Sequence, residues 1–291
     1  MSRYWLIALL CAACGALAAA VFAQPQPAPL AAEPLGGGVY WFRGGSGANT
    51  GLIIAGKEAV VIDAKMTQES AQAMLQEVRK LTLNPVRYLI LTHSDGDHVN
   101  GLGGFPRNLR VLAHPNALKD MEQAFKDPKL SSLAGWLPME AVSPGGGRIE
   151  IGGVPVELLH FGPAHTNGDL VVFLPRQRIA FVGDLVFIGR DPLIHRHKNG
   201  SSFGLVETLK KLLELDCDRY VSGHANPVGK TEIRELLASL QDKQAKVKTL
   251  IGEGQSLEQI KAALGVAEQP GAVSRRPGLI EVIYQELAEK K

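Results

Sequence analysis

The sequence predicts an α/β fold in which two β-sheets pack face to face and carry helices on their outer faces. Short apolar runs bounded by glycine or charged residues, such as VYWF, GLIIAG and AVVIDAK, are typical of strands. They alternate with segments whose apolar residues recur at helical spacing, and the alternation occurs in two similar halves. Because each helix and each sheet must bury one apolar face, this pattern favours a layered sandwich.

In the first half, the clearest helix signal lies over Gln68–Leu81. Ala71, Met74 and Val78 fall on one face of this segment, which is the spacing of an amphipathic helix. The strands VRYLILTH and LRVLAHP follow, and a second helix is predicted around Ala117–Phe125.

In the second half, the strands VPVELLHF, DLVVFLP and RIAFVGDLVF come in quick succession. A helix over 203–215, the strand RYVSGHA and a longer helix over 231–251 come next. Two amphipathic helices, 256–264 and 277–287, then form a predicted helical extension over 251–291. The sequence leaves open whether this extension lies on the fold or forms a dimer contact.

Length and composition are typical of one soluble domain with additions, since 45% of the 291 residues are hydrophobic and 21% are charged. The net charge of +2 is too small to indicate nucleic acid or an anionic membrane as a partner. We therefore expect a small-molecule substrate, and the oligomeric state stays open.

The N-terminal residues predict export to the periplasm or the medium. The positive start MSR, the apolar run YWLIALLCAACGALAAAVFA and the helix-breaking QPQPAP indicate a signal peptide over 1–23, cleaved after Ala23. A Pro- and Ala-rich linker is predicted over 24–35. The alternative is an uncleaved membrane anchor, which would give the protein a stable membrane partner. Cys217 is then the single cysteine of the mature chain, and we expect a buried structural thiol.

Histidine and aspartate side chains collect at four strand ends, most densely in LTHSDGDH. Singly, each has an ordinary explanation as a turn cap or a hydrogen-bonded core residue, but their recurrence at four strand ends favours a metal site. Residues i and i+2 of an extended stretch face the same way, so His93 and Asp95 can reach one ion. After the turn at Gly96, Asp97 and His98 point elsewhere and suit a second ion. The predicted ligands are His93, Asp95 and His165 for the first ion, Asp97, His98 and His224 for the second, and Asp184 as the bridge.

The pieces LTHSDGDH, GPAHTNGDLVVF, FVGDLVF and VSGHANP, in this order, resemble the motifs of the metallo-β-lactamase-fold superfamily. The resemblance covers about residues 36–230 and implies an αββα four-layer sandwich of two mixed sheets, as a domain over 36–250. It implies a dinuclear site in the cleft between the sheets, with the same seven ligands. Asp63 looks like the superfamily's supporting acidic residue, and His114 and His160 are further candidates for contact with the ligands.

Asp95 stands where the superfamily's motif has a histidine. We expect two divalent ions, and zinc before other metals. Because a carboxylate hardens the first site, iron or manganese stays open. The best-known lactamase class has a cysteine where this chain has Asp184, so β-lactam hydrolysis is not expected. These features predict an exported metal-dependent hydrolase that uses a metal-bridged hydroxide on an ester, lactone, thioester or amide, with Asp97 orienting the hydroxide and passing its proton to the leaving group.

Two alternatives stay open, a diiron redox protein, motivated by Asp95, and a non-catalytic metal-binding accessory protein. In the later loop DPLIHRHKNG, His195 and His197 either touch substrate or belong to an exposed basic loop, and the exposed loop is favoured. Lys198 in that loop, together with Arg190 and Arg196, favours an acidic substrate.

Overall fold

The computed structural model describes residues 28–266 and 276–289, so the signal peptide predicted over 1–23 and the start of the predicted linker lie outside the described residues. Within them, strands form one seven-stranded and one five-stranded sheet. The helices are α1 (Gln68–Leu81), α2 (Gly96–Val99), α3 (Pro115–Ala124), α4 (Ser202–Glu214), α5 (Lys230–Gly252), α6 (Leu257–Ala263) and α7 (Leu279–Ala288). None of these helices is both long and apolar enough to span a membrane.

The first sheet follows chain order from one edge to the other. Its strands are β1 (Ala31–Gly36), β2 (Val39–Arg43), β3 (Thr50–Ala55), β4 (Glu58–Ile62), β5 (Val86–Ile90), β6 (Arg110–Ala113) and β7 (Glu140–Ala141). Strands β1 to β4 are antiparallel neighbours, and β4 to β7 run parallel. The parallel half therefore presents the carboxyl ends of β4 and β5 at the same edge.

The second sheet runs in the order β12-β11-β10-β9-β8. Its strands are β8 (Gly146–Ile151), β9 (Val154–Leu159), β10 (Val171–Leu174), β11 (Ile179–Gly183) and β12 (Arg219–Ser222). Strands β8 to β11 are antiparallel, and β12 pairs parallel with β11. Both sheets are mixed, as the resemblance implied.

The period of two in the buried strands builds the layers. In β4, Val61 faces the apolar cluster under α1 and α3, while Val60 faces the cluster between the sheets. In β11, Phe181 faces the cluster between the sheets, while Val182 faces the cluster under α4 and α5. Each central strand thus buries both faces, which confirms the predicted sandwich of two sheets with helices outside.

Predictions of single helices are accurate where a short segment contains both the cap and the apolar face. Helix α1 has the predicted bounds, because Thr67 caps it by accepting from the Ser70 amide and its apolar face is continuous. The predicted linker differs, since its last residues form β1, paired antiparallel with β2. Pro34 is compatible with β1 because an edge strand leaves one side without sheet partners. Pro- and Ala-rich composition carries no information about that pairing.

The C-terminal helix α7 lies on the fold. Leu279, Ile280 and Ile283 enter the apolar cluster that α4 and α5 also bury. The buried carboxylate of Glu286 accepts from the backbone amide and the hydroxyl of Ser202, at the start of α4. Helix α7 is therefore packed on the domain.

Candidate metal centre

The strand ends that carry the polar residues meet at one edge of the sandwich. The segment after β5 leads through His93 into α2, His165 lies between β9 and β10, Asp184 follows β11 directly, and His224 follows β12. A backbone hydrogen bond joins the two halves here. The amide of Leu170, just before β10, donates to the carbonyl of Thr92, just after β5, at 2.7 Å. Residues far apart in sequence are thereby held on one rigid frame.

The first predicted ligand group is assembled. One ligand atom from each of His93, Asp95 and His165 lies within 4.8 Å of the others. The Asp95 Oδ2 atom is 3.3 Å from His165 Nε2 and 4.0 Å from His93 Nε2. His165 Nδ1 lies 2.7 Å from the Leu193 carbonyl, which makes Nδ1 the donor and leaves the Nε2 lone pair facing the site.

The second group is assembled beside it. Ligand atoms of Asp97, His98 and His224 also lie within 4.8 Å of one another. Asp184 stands between the groups, with Oδ1 3.2 Å from His98 Nε2 and Oδ2 3.2 Å from His224 Nε2. Its Oδ2 is also 4.0 Å from His165 Nε2, so one carboxylate reaches both groups. This is the position of the bridge that the sequence predicted.

The site has the donor set of a metal centre. Four buried atoms in it have no hydrogen-bond partner within the described part of the chain, namely Nε2 of His93, His98 and His165 and Oδ1 of Asp184. Each such atom costs about 1–3 kcal/mol when left unsatisfied, and a bound cation would remove that cost. The separations of 3.2–4.0 Å between ligand atoms are compatible with bonds of about 2.0–2.2 Å to shared ions. The residues therefore fit divalent metal ions.

Gly223 leaves the room for this arrangement. A Cβ at this position would lie 2.3 Å from Asp184 Oδ1 and 2.8 Å from His98 Cε1. Any larger residue would therefore displace two of the predicted ligands.

Asp63, predicted as a supporting residue, contacts a predicted ligand directly. Its Oδ2 is 2.8 Å from His98 Nδ1, and its carboxylate accepts from the amide and the hydroxyl of Thr92 at 2.8 and 2.9 Å. This contact fixes the ring orientation of His98 and leaves Nε2 free to face the site. His114 and His160 lie elsewhere. They stack on each other at 4.0 Å, and the hydrogen bonds found for them in the described residues involve backbone groups.

Opposite charges shift the pKa values in the second group. Hydrogen bonds to Asp184 and Asp97 raise the pKa of His224 to about 9. Burial alone would lower the pKa of His98, but Asp63 and Asp184 raise it well above its ordinary value. In both histidines the pKa shift favours the protonated ring, so metal binding here would release protons.

A buried lysine organises the loop beside this group. Lys65 donates from Nζ to the carbonyls of Gly44 and Ala48, both at 2.7 Å, and burial lowers its pKa to about 8. The same loop reaches the site through the Ala48 amide, which donates to the Asp97 carbonyl, and through Asn49, which donates to Gly223. This contact could not be predicted from the sequence, because a lysine in IDAKM has the pattern of a surface residue.

Comparison with known proteins decides the family. The model of the metallo-beta-lactamase superfamily matches residues 43–224, which contain all seven predicted ligands. The chain belongs to the metallo-beta-lactamase superfamily.

Characterised members of the superfamily differ in what they act on. The alpha subunit of 2,4-dinitroanisole O-demethylase from Nocardioides sp. (strain JS1661) is 27% identical over 197 residues, which cover 66% of this chain and 56% of that protein. Hydroxyacylglutathione hydrolase GloC from Haemophilus influenzae is 28% identical over 182 residues, which cover 58% of this chain and 81% of that protein. The chain spans about half the length of the demethylase subunit, and 44% of a linear primary-alkylsulfatase from Pseudomonas sp..

Solved structures show the same fold. The sec-alkylsulfatase Pisa1 from Pseudomonas sp. superposes with a TM-score of 0.67 at 18% identity, over 88% of this chain and 50% of that chain. A metallo-beta-lactamase from Erythrobacter litoralis superposes with a TM-score of 0.61 at 19% identity, over 74% of this chain and 97% of that chain.

The position that departs from the superfamily's motif has neighbours that the sequence did not predict. His195, expected in an exposed loop, is 2% exposed, and its Nε2 lies 2.7 Å from Asp95 Oδ2. Lys198 donates from Nζ to Asp95 Oδ1 at 2.8 Å. Although burial acts to raise the pKa of Asp95, His165 and His195 hold it well below its usual range. The loop is basic, as predicted, but it closes over the first ligand group.

Proposed function

We propose that this chain is an exported hydrolase that holds two divalent ions and cleaves an ester, lactone, thioester or amide. The observation that carries the proposal is a set of three buried histidine nitrogens and one oxygen of Asp184 that have no hydrogen-bond partner among the described residues, arranged around Asp184. When bound, a pair of divalent ions activates water as a nucleophile and polarises the substrate oxygen. Zinc is the expected metal, because imidazoles are four of the seven ligands.

Asp97 is the proposed proton-transfer residue. Its side chain is 22% exposed, whereas Asp95 and Asp184 are 10% and 5% exposed, so among the three carboxylates it has the most open access to a bound substrate. His224 lies 3.1 Å from Asp97 Oδ2 and keeps the carboxylate oriented. Asp97 can therefore orient the attacking water and pass its proton to the leaving group.

We expect a substrate to enter the site beside His224. The Phe187 ring stacks against His224 with centroids 6.3 Å apart, and the Arg190 guanidinium lies 4.8 Å above the Phe187 ring. The other basic residues proposed for an acidic substrate have partners within the protein, since Arg196 pairs with Glu289 and Lys198 with Asp95. A preference for acidic substrates therefore rests on Arg190.

The test compares metal content with hydrolysis. Protein purified from its own compartment should contain about two zinc ions per chain, and a panel of chromogenic esters, lactones, thioesters and amides should identify the bond that it cleaves. Asp97→Asn should lower kcat about 10²–10⁴-fold on that substrate, while Asp242→Asn, an exposed aspartate of α5, serves as the matched control.

The outcomes separate the alternatives. Two bound ions without hydrolysis of any panel member would favour an accessory metal-binding protein. Bound iron together with oxygen consumption from an electron donor would favour the redox protein. Less than about half an equivalent of any transition metal after reconstitution would overturn the metal site itself.

Export is tested separately. N-terminal sequencing of protein from the periplasm or the medium should begin at Gln24. An intact N-terminus in the membrane fraction would instead support the uncleaved anchor.

A further inference from the structure

The carboxylate of Asp95 is enclosed by a segment about one hundred residues further along the chain. Lys198 Nζ lies 2.8 Å from Oδ1, and His195 Nε2 lies 2.7 Å from Oδ2. The side chains of Asp95, His195 and Lys198 are 10%, 2% and 18% exposed. Both oxygens therefore have a specific partner away from water, although each oxygen keeps lone-pair capacity for a further ligand.

The segment that carries these two residues is fixed to the rest of the first ligand group. The His195 amide donates to the His165 carbonyl at 2.9 Å, and the Asn167 amide donates to the Lys198 carbonyl at 3.0 Å. Gly200 packs so closely on this turn that a Cβ there would lie 2.3 Å from the His165 carbonyl oxygen. The geometry of His165 and of the partners of Asp95 is therefore set by one connected unit.

One further contact holds Lys198 in place, and another holds the loop that carries it. Its Nζ also donates to Ser94 Oγ at 2.9 Å, and the Ser94 hydroxyl donates to Asp120 on α3 at 3.1 Å. Two positions earlier, Arg196 donates at 2.7 Å to Glu289, the residue that follows α7. The ammonium group is thus held beside Asp95 and Ser94, and its loop is tied to the C-terminal end of α7.

Lys198 offsets the negative charge that Asp95 brings to the site. A histidine ligand is neutral, whereas Asp95 brings one negative charge to a nearly dry site. Lys198 adds one positive charge at hydrogen-bond distance, so the Asp95–Lys198 pair has the same net charge as the imidazole that the superfamily's motif has here.

We propose that Lys198 and His195 are positioning residues that adapt the first metal position to a carboxylate. Lys198 offsets the charge of Asp95 and contacts Oδ1, and His195 fixes Oδ2 beside the His93 and His165 nitrogens that would hold the first ion. The proposal rests on the proposed metal site, and it is tested by metal binding instead of hydrolysis.

The test exchanges the two partners. Titration with Co²⁺, followed by the visible ligand-field absorption, counts the ions and reports their coordination. Asp95→His leaves the Lys198 cation beside an imidazole and a metal ion with no carboxylate to offset it, and it should weaken the first ion at least tenfold. Asp95→His combined with Lys198→Met should recover the affinity to within about threefold of the starting protein, because charge and ligand type then match an all-histidine site.

The control for this rescue is Asp95→His combined with Lys126→Met. Lys126 is an exposed lysine that contacts Gln123, so its removal should leave the Asp95→His defect unchanged. Circular dichroism confirms folding for each variant, and Lys198→Gln replaces Lys198→Met if the double variant does not fold.

His195 has its own matched pair. His195→Leu should weaken the first ion about 10–100-fold, which is typical when the partner of a ligand is removed. His197→Leu changes an exposed histidine of the same segment and should leave both ions bound as before.

Three results would overturn the proposal. The first is Asp95→His alone binding the first ion with unchanged affinity, and the second is a folded double variant without any recovery. The third is a single Co²⁺ per chain whose affinity and absorption are the same in Asp95→His, because Asp95 would then contact no ion. Two bound ions with the predicted rescue but no hydrolysis would leave this proposal standing and remove the proposed hydrolase function.

Discussion

Replacing Gly223 with alanine tests whether the spacing of the site is set for metal ions. The added methyl group would lie 2.3 Å from Asp184 Oδ1, whereas ordinary contacts begin near 3.4 Å. The backbone cannot retreat easily, because the Gly223 amide donates to the Gly183 carbonyl at 2.9 Å and the Gly223 carbonyl accepts from the Asn49 amide at 2.7 Å. The Asp184 carboxylate must therefore move by about 1 Å, which is several times the roughly 0.2 Å tolerance of a metal–ligand distance.

We expect Gly223→Ala to lose at least tenfold in metal affinity, or about 1.4 kcal/mol, while the metal-free protein still folds. Calorimetric titration with Zn²⁺ measures the affinity, and thermal unfolding of the chelated protein measures the fold. Gly252→Ala is the matched control, because a Cβ at this end of α5 meets nothing within 4 Å. If Gly223→Ala bound both ions with unchanged affinity, Asp184 would not be a ligand and the assigned geometry would be wrong.

Three further results are expected. Asp63→Asn removes the charged partner of His98 and should weaken metal binding about 10–100-fold by calorimetry; unchanged affinity would contradict the support assigned to Asp63. Hydrogen bonding to Asp184 raises the pKa of His224 to about 9, so this histidine stabilises the chelated protein fully below about pH 6.5 and loses that effect as pH rises through 9. Thermal unfolding of chelated protein should show this decline, and His224→Gln should flatten it. Burial raises the pKa of the Cys217 thiol to about 11, so a disulfide reagent should label it no faster than the protein unfolds, and rapid labelling of the native protein would contradict its burial.

Much of the fold could be predicted from the sequence because its signals are local. The 14 residues of helix α1 contain its whole apolar face, and its cap, Thr67, directly precedes them. The central strands are short apolar runs, and their alternation with helices limits the architecture to a few layered forms. Strand β1 was missed because an edge strand of mixed composition is defined by its pairing with β2, which composition does not encode.

The candidate site, too, was predictable from the sequence only in part. Its seven predicted ligands follow strands of both sheets that end at the same edge of the sandwich, so motif and order were enough to group them. The partners of Asp95 were beyond the sequence, since His195 and Lys198 lie 100 and 103 positions away and DPLIHRHKNG has the composition of an exposed loop.

By itself, therefore, the sequence determined the layered fold, the superfamily resemblance and the positions that converge on a metal centre. Only the tertiary structure decided that Asp63 orients His98, that Gly223 leaves room for Asp184, and that Lys198 and His195 enclose Asp95. The physical reason is that helix and strand signals arise from neighbours along the chain. Charge compensation and close packing in a buried site depend on distances across the fold, which no local pattern contains.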